Sequence, residues 1–489
     1  MRFGLFVLIF SVLVLSLDYG QVTSPQILKP AWASVPQETQ SATRAFPAEL
    51  RRELIQLRDA ALTDDYAYQQ LEYLTDSIGP RTAGSPQAEA AARYVADELR
   101  KLGLDARLEA VPVRHLERGV DAAELVEYPG QVAGTAQKIY ITALMGNSPT
   151  PQNGITADVI VVNNFNELKQ LGKDNVAGKI VLFNEVYDHQ KAMTGQAGPA
   201  YGEAVRYRVA GAGAASELGA VGVIVRSAGD GAYRLPHTGA SLETPIPAGA
   251  VSAEDAGLIA RLAARGRVRV HLTLTTKLGP IAQGHNVVAD LKGSEHPEQV
   301  VIVSGHLDSW DLGTGAIDDG AGVVMAMETA ELVHKLNLHP RRTIRVIAWM
   351  DEEMGATGAT AYAKDHAAEA ANHFAAIESD LGAEHPLGFH LKTGEDAVKQ
   401  LSPVQDVLSS FGANLLQIVP ESPETDIEPL AKAGVPSFGI WQNGVKYFTY
   451  HHTAADTLDK VMPQELRENA ACMAVMGYAL ADMTEPLAK

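Results

Sequence analysis

Apolar residues at Ala91, Val95, Leu99 and Leu102 recur at helical spacing. Ser85 followed by Pro86 supplies an N-cap and a proline at the first helical position, and Gly103 closes the run. From about Glu127 to Thr276 the texture changes to short β-rich runs among many Gly and Ala: 138–142, 159–162, 179–183, 221–225 and 268–276. Ser252-Ala253-Glu254-Asp255 resembles a capping box and predicts a helix that Gly266 ends. After Gly284 the pattern alternates. Strands are predicted at 286–291, 300–304, 343–350, 374–378 and 436–440, with helices between them and a last helix over 464–483. Such alternation predicts an α/β unit with a mostly parallel central sheet flanked by helices. A smaller β-rich domain over 127–276 interrupts it. No repeat of fixed period occurs.

A chain of 489 residues exceeds one compact core, which agrees with two units. The formal net charge of −19 argues against nucleic acid or an anionic membrane surface as partner. Met1-Arg2 precedes the apolar run Phe3–Leu17, which falls short of the ~20 residues that span a bilayer. It predicts a signal peptide over 1–24 and no stable membrane anchor. Residues 25–59, rich in Pro, Ser, Thr and Ala, read as a linker or pro-segment. Cys472 is the single cysteine, so no intramolecular disulfide can form. An exported, disulfide-free protein points to a bacterial periplasm or the medium. Cys472 sits among Ala471, Met473, Val475 and Met476 and reads as core.

The chemistry concentrates where strands end. His306 and Asp308 follow the strand at 300–304, and Asp351, Glu352 and Glu353 follow that at 343–350. Glu378 and Asp380 lie at the end of the next, His451 and His452 follow the last, and Asp318 and Asp319 precede a helix. Alone, each has a plainer explanation: a surface His-x-Asp pair, a solvated Glu-Glu edge, an Asp-Asp turn or cap. Together they place imidazoles and carboxylates in the crevice beyond a parallel sheet, where ligands bind. Buried carboxylates need neutralising, and His with carboxylate suits borderline-hard cations. A Gly-x-Ser-x-Gly elbow and a His-Glu-x-x-His helix are both absent, and Gly172 with Gly178-Lys179 misses the phosphate-loop spacing. Gly211-Ala212-Gly213 reads as tight helix packing. His237 is a candidate to reach the substrate, although a lone His is more often a surface residue, and Tyr447–Tyr450 is a candidate pocket lining with buried packing as the plainer role. Asp311 is assigned no direct role.

Five motifs in order then resemble the co-catalytic zinc aminopeptidases, and among them the carboxypeptidase Q type. They are Gly305-His306-Leu307-Asp308-Ser309, Asp318-Asp319-Gly320-Ala321-Gly322, Glu352-Glu353, Glu378-Ser379-Asp380 and His452-Thr453-Ala454-Ala455-Asp456-Thr457. The resemblance implies a zinc exopeptidase fold with a protease-associated insertion, divided as 60–126, 127–276 and 277–489. It implies two Zn²⁺ per chain, one on His306 and Asp380, the other on Glu353 and His452, with Asp318 bridging. Two zinc ions against three carboxylates leave a single positive charge, which favours a bridging hydroxide as nucleophile. Asp308 is expected to accept the second N–H of His306, and Asp319 to hold the turn beside Asp318. Adjacent Glu352 and Glu353 point to opposite sides of a strand end; the resemblance makes Glu353 the ligand and Glu352 the general base. His451 is the alternative to His452, and the Thr-x-x-Asp-Thr after His452 favours His452.

The function implied is hydrolysis of dipeptides or short peptides with a free N-terminus, and a homodimer is a further implication. Two alternatives stand: a non-catalytic, receptor-like binding protein on this fold, and a metal hydrolase of a non-peptide amide. The complete set of ligand positions weighs against the first.

Overall fold

The computed structural model describes residues 46–229 and 231–488; the predicted signal peptide lies outside them. Val300, Val301, Ile302 and Val303 are apolar on both faces and all buried, as a central strand covered on two sides requires. They belong to an eight-stranded sheet. Its spatial order is Asp105–Glu117, Lys277–Leu291, Arg342–Trp349, His296–His306, His373–Glu378, Ser437–Gln442, Pro386–Lys392, Leu415–Ile418. The four strands from Arg342–Trp349 to Ser437–Gln442 run parallel. The outer pairings are antiparallel, except that of Pro386–Lys392 with Leu415–Ile418. The parallel core thus matches the alternation in the sequence, and the margins add the antiparallel strands.

Strands Pro386–Lys392 and Leu415–Ile418 lie where only helices were expected, and two further elements differ. Residues 25–59 were read as a linker or pro-segment, yet Ala48–Ala61 is a helix with Leu50, Leu54, Leu57 and Ala61 buried. It packs on the last helix, Pro463–Asp482, and its apolar spacing of three and four is that of a core-facing helix. The second is Asp105–Glu117, a strand of 13 residues that pairs antiparallel with Lys277–Leu291 from Asp105↔Asp290 to Glu117↔Lys277.

Between those two strands the chain builds a second eight-stranded sheet, beginning at Asp121–Glu127 and ending at Arg269–Leu274. It therefore begins before residue 127. Its order places Gln137–Ile139 at one edge and Ile141–Ala143 at the other. Only Tyr140 separates those strands, so the sheet curls until its edges approach. Helix Ala197–Glu217 packs on it, with Gly211 against Phe183: a Cβ there would meet the ring at 2.8 Å. Cys472 is fully buried in Pro463–Asp482.

Candidate metal centre

The parallel strands end on a shared edge and deliver the site from there. His306 is the last residue of His296–His306, Asp380 comes two after His373–Glu378, and Glu352 and Glu353 follow Arg342–Trp349. Asp318 lies in the single turn before helix Ala321–Lys335. His452 follows the short helix Tyr447–Tyr450.

Asp318 sits between the two imidazoles. Its Oδ1 is 3.1 Å from His306 Nε2, and its Oδ2 is 3.3 Å from His452 Nε2. Asp380 Oδ1 lies 3.3 Å from His306 Nε2, and Glu353 Oε2 lies 3.0 Å from His452 Nε2. Two triads result, His306–Asp318–Asp380 and Asp318–Glu353–His452, each with donor atoms within 4.8 Å of one another. Glu353 Oε1 and Asp380 Oδ1 are buried without a hydrogen-bond partner. Three carboxylates against two imidazoles, with orphaned oxygens, fit divalent cations.

Burial, reinforced by Asp318, pushes the Glu353 carboxyl well above the usual range. Burial also pushes Glu352 up to about 8, with Asp380 and Asp318 adding and His306 opposing. Burial acts the same way on Asp318, but a hydrogen bond from His306 and the nearness of His452 bring it below its ordinary value. Burial and Arg208 hold His452 well below a histidine's usual pKa against the pull of Asp318, leaving it neutral as a metal ligand must be.

The backbone fixes these side chains. Asp319 accepts from His306 N at 3.0 Å and from Gly322 N at 2.9 Å, so it holds the turn. Asp456 accepts from Ala316 N and Ile317 N, both at 2.8 Å, and ties the His452 loop to that same turn. Asp308 differs from expectation. Its own carbonyl, at 3.0 Å, is the acceptor for His306 Nδ1, while its carboxylate stands 3.9 Å away. The carboxylate instead accepts from Asp351 N at 2.7 Å and Glu352 N at 3.2 Å. It therefore positions the glutamate pair, because two main-chain N–H groups are in line and the ring is not. Asp311 pairs with Arg118 through both oxygens.

His452, not His451, faces the carboxylates. His451 Nδ1 lies 3.2 Å from His237 Nε2. His237, for which a surface place was the plainer reading, is 2% exposed because the inserted segment closes over this loop. A Cβ at Gly229 would fall 2.1 Å from Phe448 O. Thr238 grips His452 twice: its N–H donates to His452 O at 2.9 Å, and its carbonyl lies 3.1 Å from His452 Nδ1. His452 adopts φ +60°, a left-handed conformation that costs a non-glycine residue roughly 1 kcal/mol or more, and this clamp holds it there. Arg208 Nη1 is 3.1 Å from the same Nδ1. Sequence reading missed the contacts of Arg208 and Thr238 with His452, which lies more than 200 residues further along the chain. Arg81, fully buried, donates to the carbonyls of Leu307, Thr314 and Gly315 at 2.7–2.8 Å. A fully polar contact set of that kind leaves no periodic trace.

The description "Peptidase family M28" matches residues 286–476. Carboxypeptidase Q of Bos taurus is 36% identical over 450 residues, covering 91% of this chain and 91% of the relative. The chain belongs to peptidase family M28. Carboxypeptidase Q of Homo sapiens is 33% identical across 100% of this chain and 99% of its own. The crystal structure of a peptidase M28 precursor from Shewanella amazonensis SB2B superposes with a TM-score of 0.84 at 34% identity, over 90% of this chain and 98% of that one. A Bacillus subtilis zinc aminopeptidase shares the fold, with a TM-score of 0.62 at 21% identity over 87% of this chain and 98% of that one. As an M28 member the chain is a metallo-exopeptidase, a hydrolase, and its His, Asp and Glu clusters suit zinc. Among the described residues no helix is long and apolar enough to cross a membrane.

Proposed function

We propose that this M28 peptidase is an exported di-zinc exopeptidase acting on dipeptides or short peptides with a free N-terminus. His306, Asp318 and Asp380 would hold one zinc, and Asp318, Glu353 and His452 the other. The observation that carries this reading is Asp318, which offers one oxygen toward each imidazole. Bound there, zinc supplies Lewis-acid polarisation of a carbonyl and a lowered pKa for water. Glu352 takes the proton of the attacking water and returns it to the leaving amine, a role suited to a buried carboxyl that stands beside the proposed ligands without being one of them. Asp308 keeps Glu352 in place through its main-chain N–H.

Elemental analysis of the purified protein should find about two zinc ions per chain. A chelator should abolish hydrolysis and added zinc should restore it; full activity in metal-free protein would overturn the scheme. Free dipeptides should be cleaved well and their N-acetylated forms poorly. Equal rates on both would reject recognition of the free amine while leaving the metal scheme in place. Export rests on the Met1–Leu17 segment and is read by fractionation of the producing cell; the homodimer is read by sedimentation.

A further inference from the structure

Asp311 lies on the loop between His306 and Asp318, and neither triad uses it. Its partner is Arg118, which stands where the main sheet gives way to the inserted domain. The mount there is slender. Lys277–Leu291 pairs with Arg342–Trp349 only over Val287–Leu291. From that point to Glu117↔Lys277 its pairing with Asp105–Glu117 forms a ribbon of two strands, with a shift of register between Arg114 and Leu116. Two-stranded ribbons twist more than wide sheets. The ribbon alone therefore does not fix the angle at which the inserted domain meets the metal centre.

A chain of polar contacts does. Arg118 Nε and Nη2 donate to the two oxygens of Asp311 at 2.6 and 2.5 Å, a fork on both oxygens of one carboxylate that fixes direction as well as distance. Arg118 Nη1 donates to Asp121 Oδ2 at 2.6 Å. The same oxygen accepts from Ala143 N at 2.8 Å, which ties strand Asp121–Glu127 to Ile141–Ala143. Ala143 O accepts from Thr238 Oγ1 at 3.2 Å. Thr238 in turn grips His452 through its own N–H and carbonyl. The contacts run without a gap from the loop that leaves the first triad to the histidine of the second. Trp310 reinforces the same seat. It is buried in the apolar core of the inserted domain, and its ring centroid lies 5.6 Å from that of His452.

We propose that Asp311 is a positioning residue: its pair with Arg118 sets the angle of the inserted domain and, through Asp121, Ala143 and Thr238, holds His452 toward Asp318 and Glu353. This rests on the di-zinc exopeptidase reading above and deepens it. Retention of the ion on His452 then depends on a contact made by the loop of His306.

The test uses the full chain with Asp311→Asn, with Arg118→Met and with both. Hydrogen exchange is read first, by mass spectrometry of the metal-free protein. The peptide carrying Thr238 should exchange about tenfold faster in each variant, the size of a charged hydrogen bond. A peptide from the buried strand Ile180–Phe183 should keep its rate. In the zinc-loaded protein one zinc equivalent should pass to a chelator about tenfold faster, and the other at its usual rate. The double variant should be no worse than either single one, because both delete the same contact. Arg118→Lys should recover only part of the loss, since it keeps the charge without the fork.

Faster exchange in both peptides, equal loss of both zinc equivalents, or additive effects would reduce the pair to general stability and overturn the proposal. Unchanged exchange and zinc release would overturn it too. Thr238→Val removes only the Oγ1 contact; it should loosen the same peptide and the same zinc, and it decides the matter if an Asp311 variant does not fold. Hydrolysis of a free dipeptide is measured alongside. A chain that shows this pattern without hydrolysis keeps the proposal and sinks the exopeptidase reading. A hydrolysing chain whose Asp311→Asn form exchanges and releases zinc as before does the reverse.

Discussion

Replacing Glu352 by Gln removes a proton acceptor and almost no volume. Glu352→Gln should keep its metal and lose about a hundredfold or more in kcat, whereas Glu353→Gln should lose a metal equivalent. Zinc content and kcat measured in one buffer decide between them. The adjacent histidines separate in the same way. His452→Ala should release metal, because its Nε2 faces Asp318 and Glu353. His451→Ala should retain it, because its Nδ1 turns to His237. His306, Glu353 and Asp380 were legible because each stands at or just beyond the end of a strand whose apolar run marks where it stops, whereas Asp318 precedes a helix and His452 follows one, and both were legible by motif. Of what grips them, only Asp319 was. Asp308 acts by a carboxylate on two main-chain N–H groups and by a carbonyl on a ring, and neither contact has a side-chain signature.

At the scale of elements, the five strands predicted over 286–440 all appear, four with margins moved by a few residues and the first starting well earlier, at Lys277, because β-branched runs buried on both faces admit little else. Asp105–Glu117 was hidden because its partner faces leave a mixed polar pattern: residues 105–109 are all partly or fully exposed. Helix Ala321–Lys335 carries one misfit, Glu328, fully buried. Its Oε2 accepts from Ala67 N at 2.7 Å, which docks the helix Tyr66–Glu72. Burial raises its pKa from 4.5 to about 8, with Asp64 and Glu331 adding to the rise against the hydrogen bond from Ala67. The folded state holds this proton after the unfolded chain has released it, so the contribution to stability is whole below about 4.5 and falls as pH rises toward about 8. Glu328→Gln keeps an acceptor for Ala67 and removes the titration. Urea unfolding should show the two proteins alike near pH 5 and the variant more stable at pH 9, by up to about 1.4 kcal/mol per unit of pKa shift. A constant difference across that range would refute the assignment.

For the whole molecule, the two-unit organisation could be inferred from length and texture, but the way the units interlock could not. The helix Ala48–Ala61 looked like linker because it follows a Pro- and Ser-rich stretch, although its apolar positions seat it on the final helix. Leu54, fully buried there, is a direct probe. Leu54→Ala should cost about 2–5 kcal/mol of stability, read as a lowered denaturation midpoint with kcat of the folded enzyme unchanged. A negligible change would return this helix to the status of a dispensable leader.

The pairing of Asp105–Glu117 with Lys277–Leu291 also sets a timetable. On the ribosome the first strand emerges some 160 residues before its partner. At synthesis rates of about 5–20 residues per second, that is a wait of roughly ten to thirty seconds. During that interval its N–H and C=O groups form an open edge onto which another nascent chain could add. Arg107, Glu109, Arg114 and Glu117 space charges along it, and charge on an exposed edge is what discourages such pairing. The inserted sheet can fold within the same interval. Because it starts and ends beside the two strands, its completion brings their ends together, and the ribbon then closes over a short span in place of a long loop.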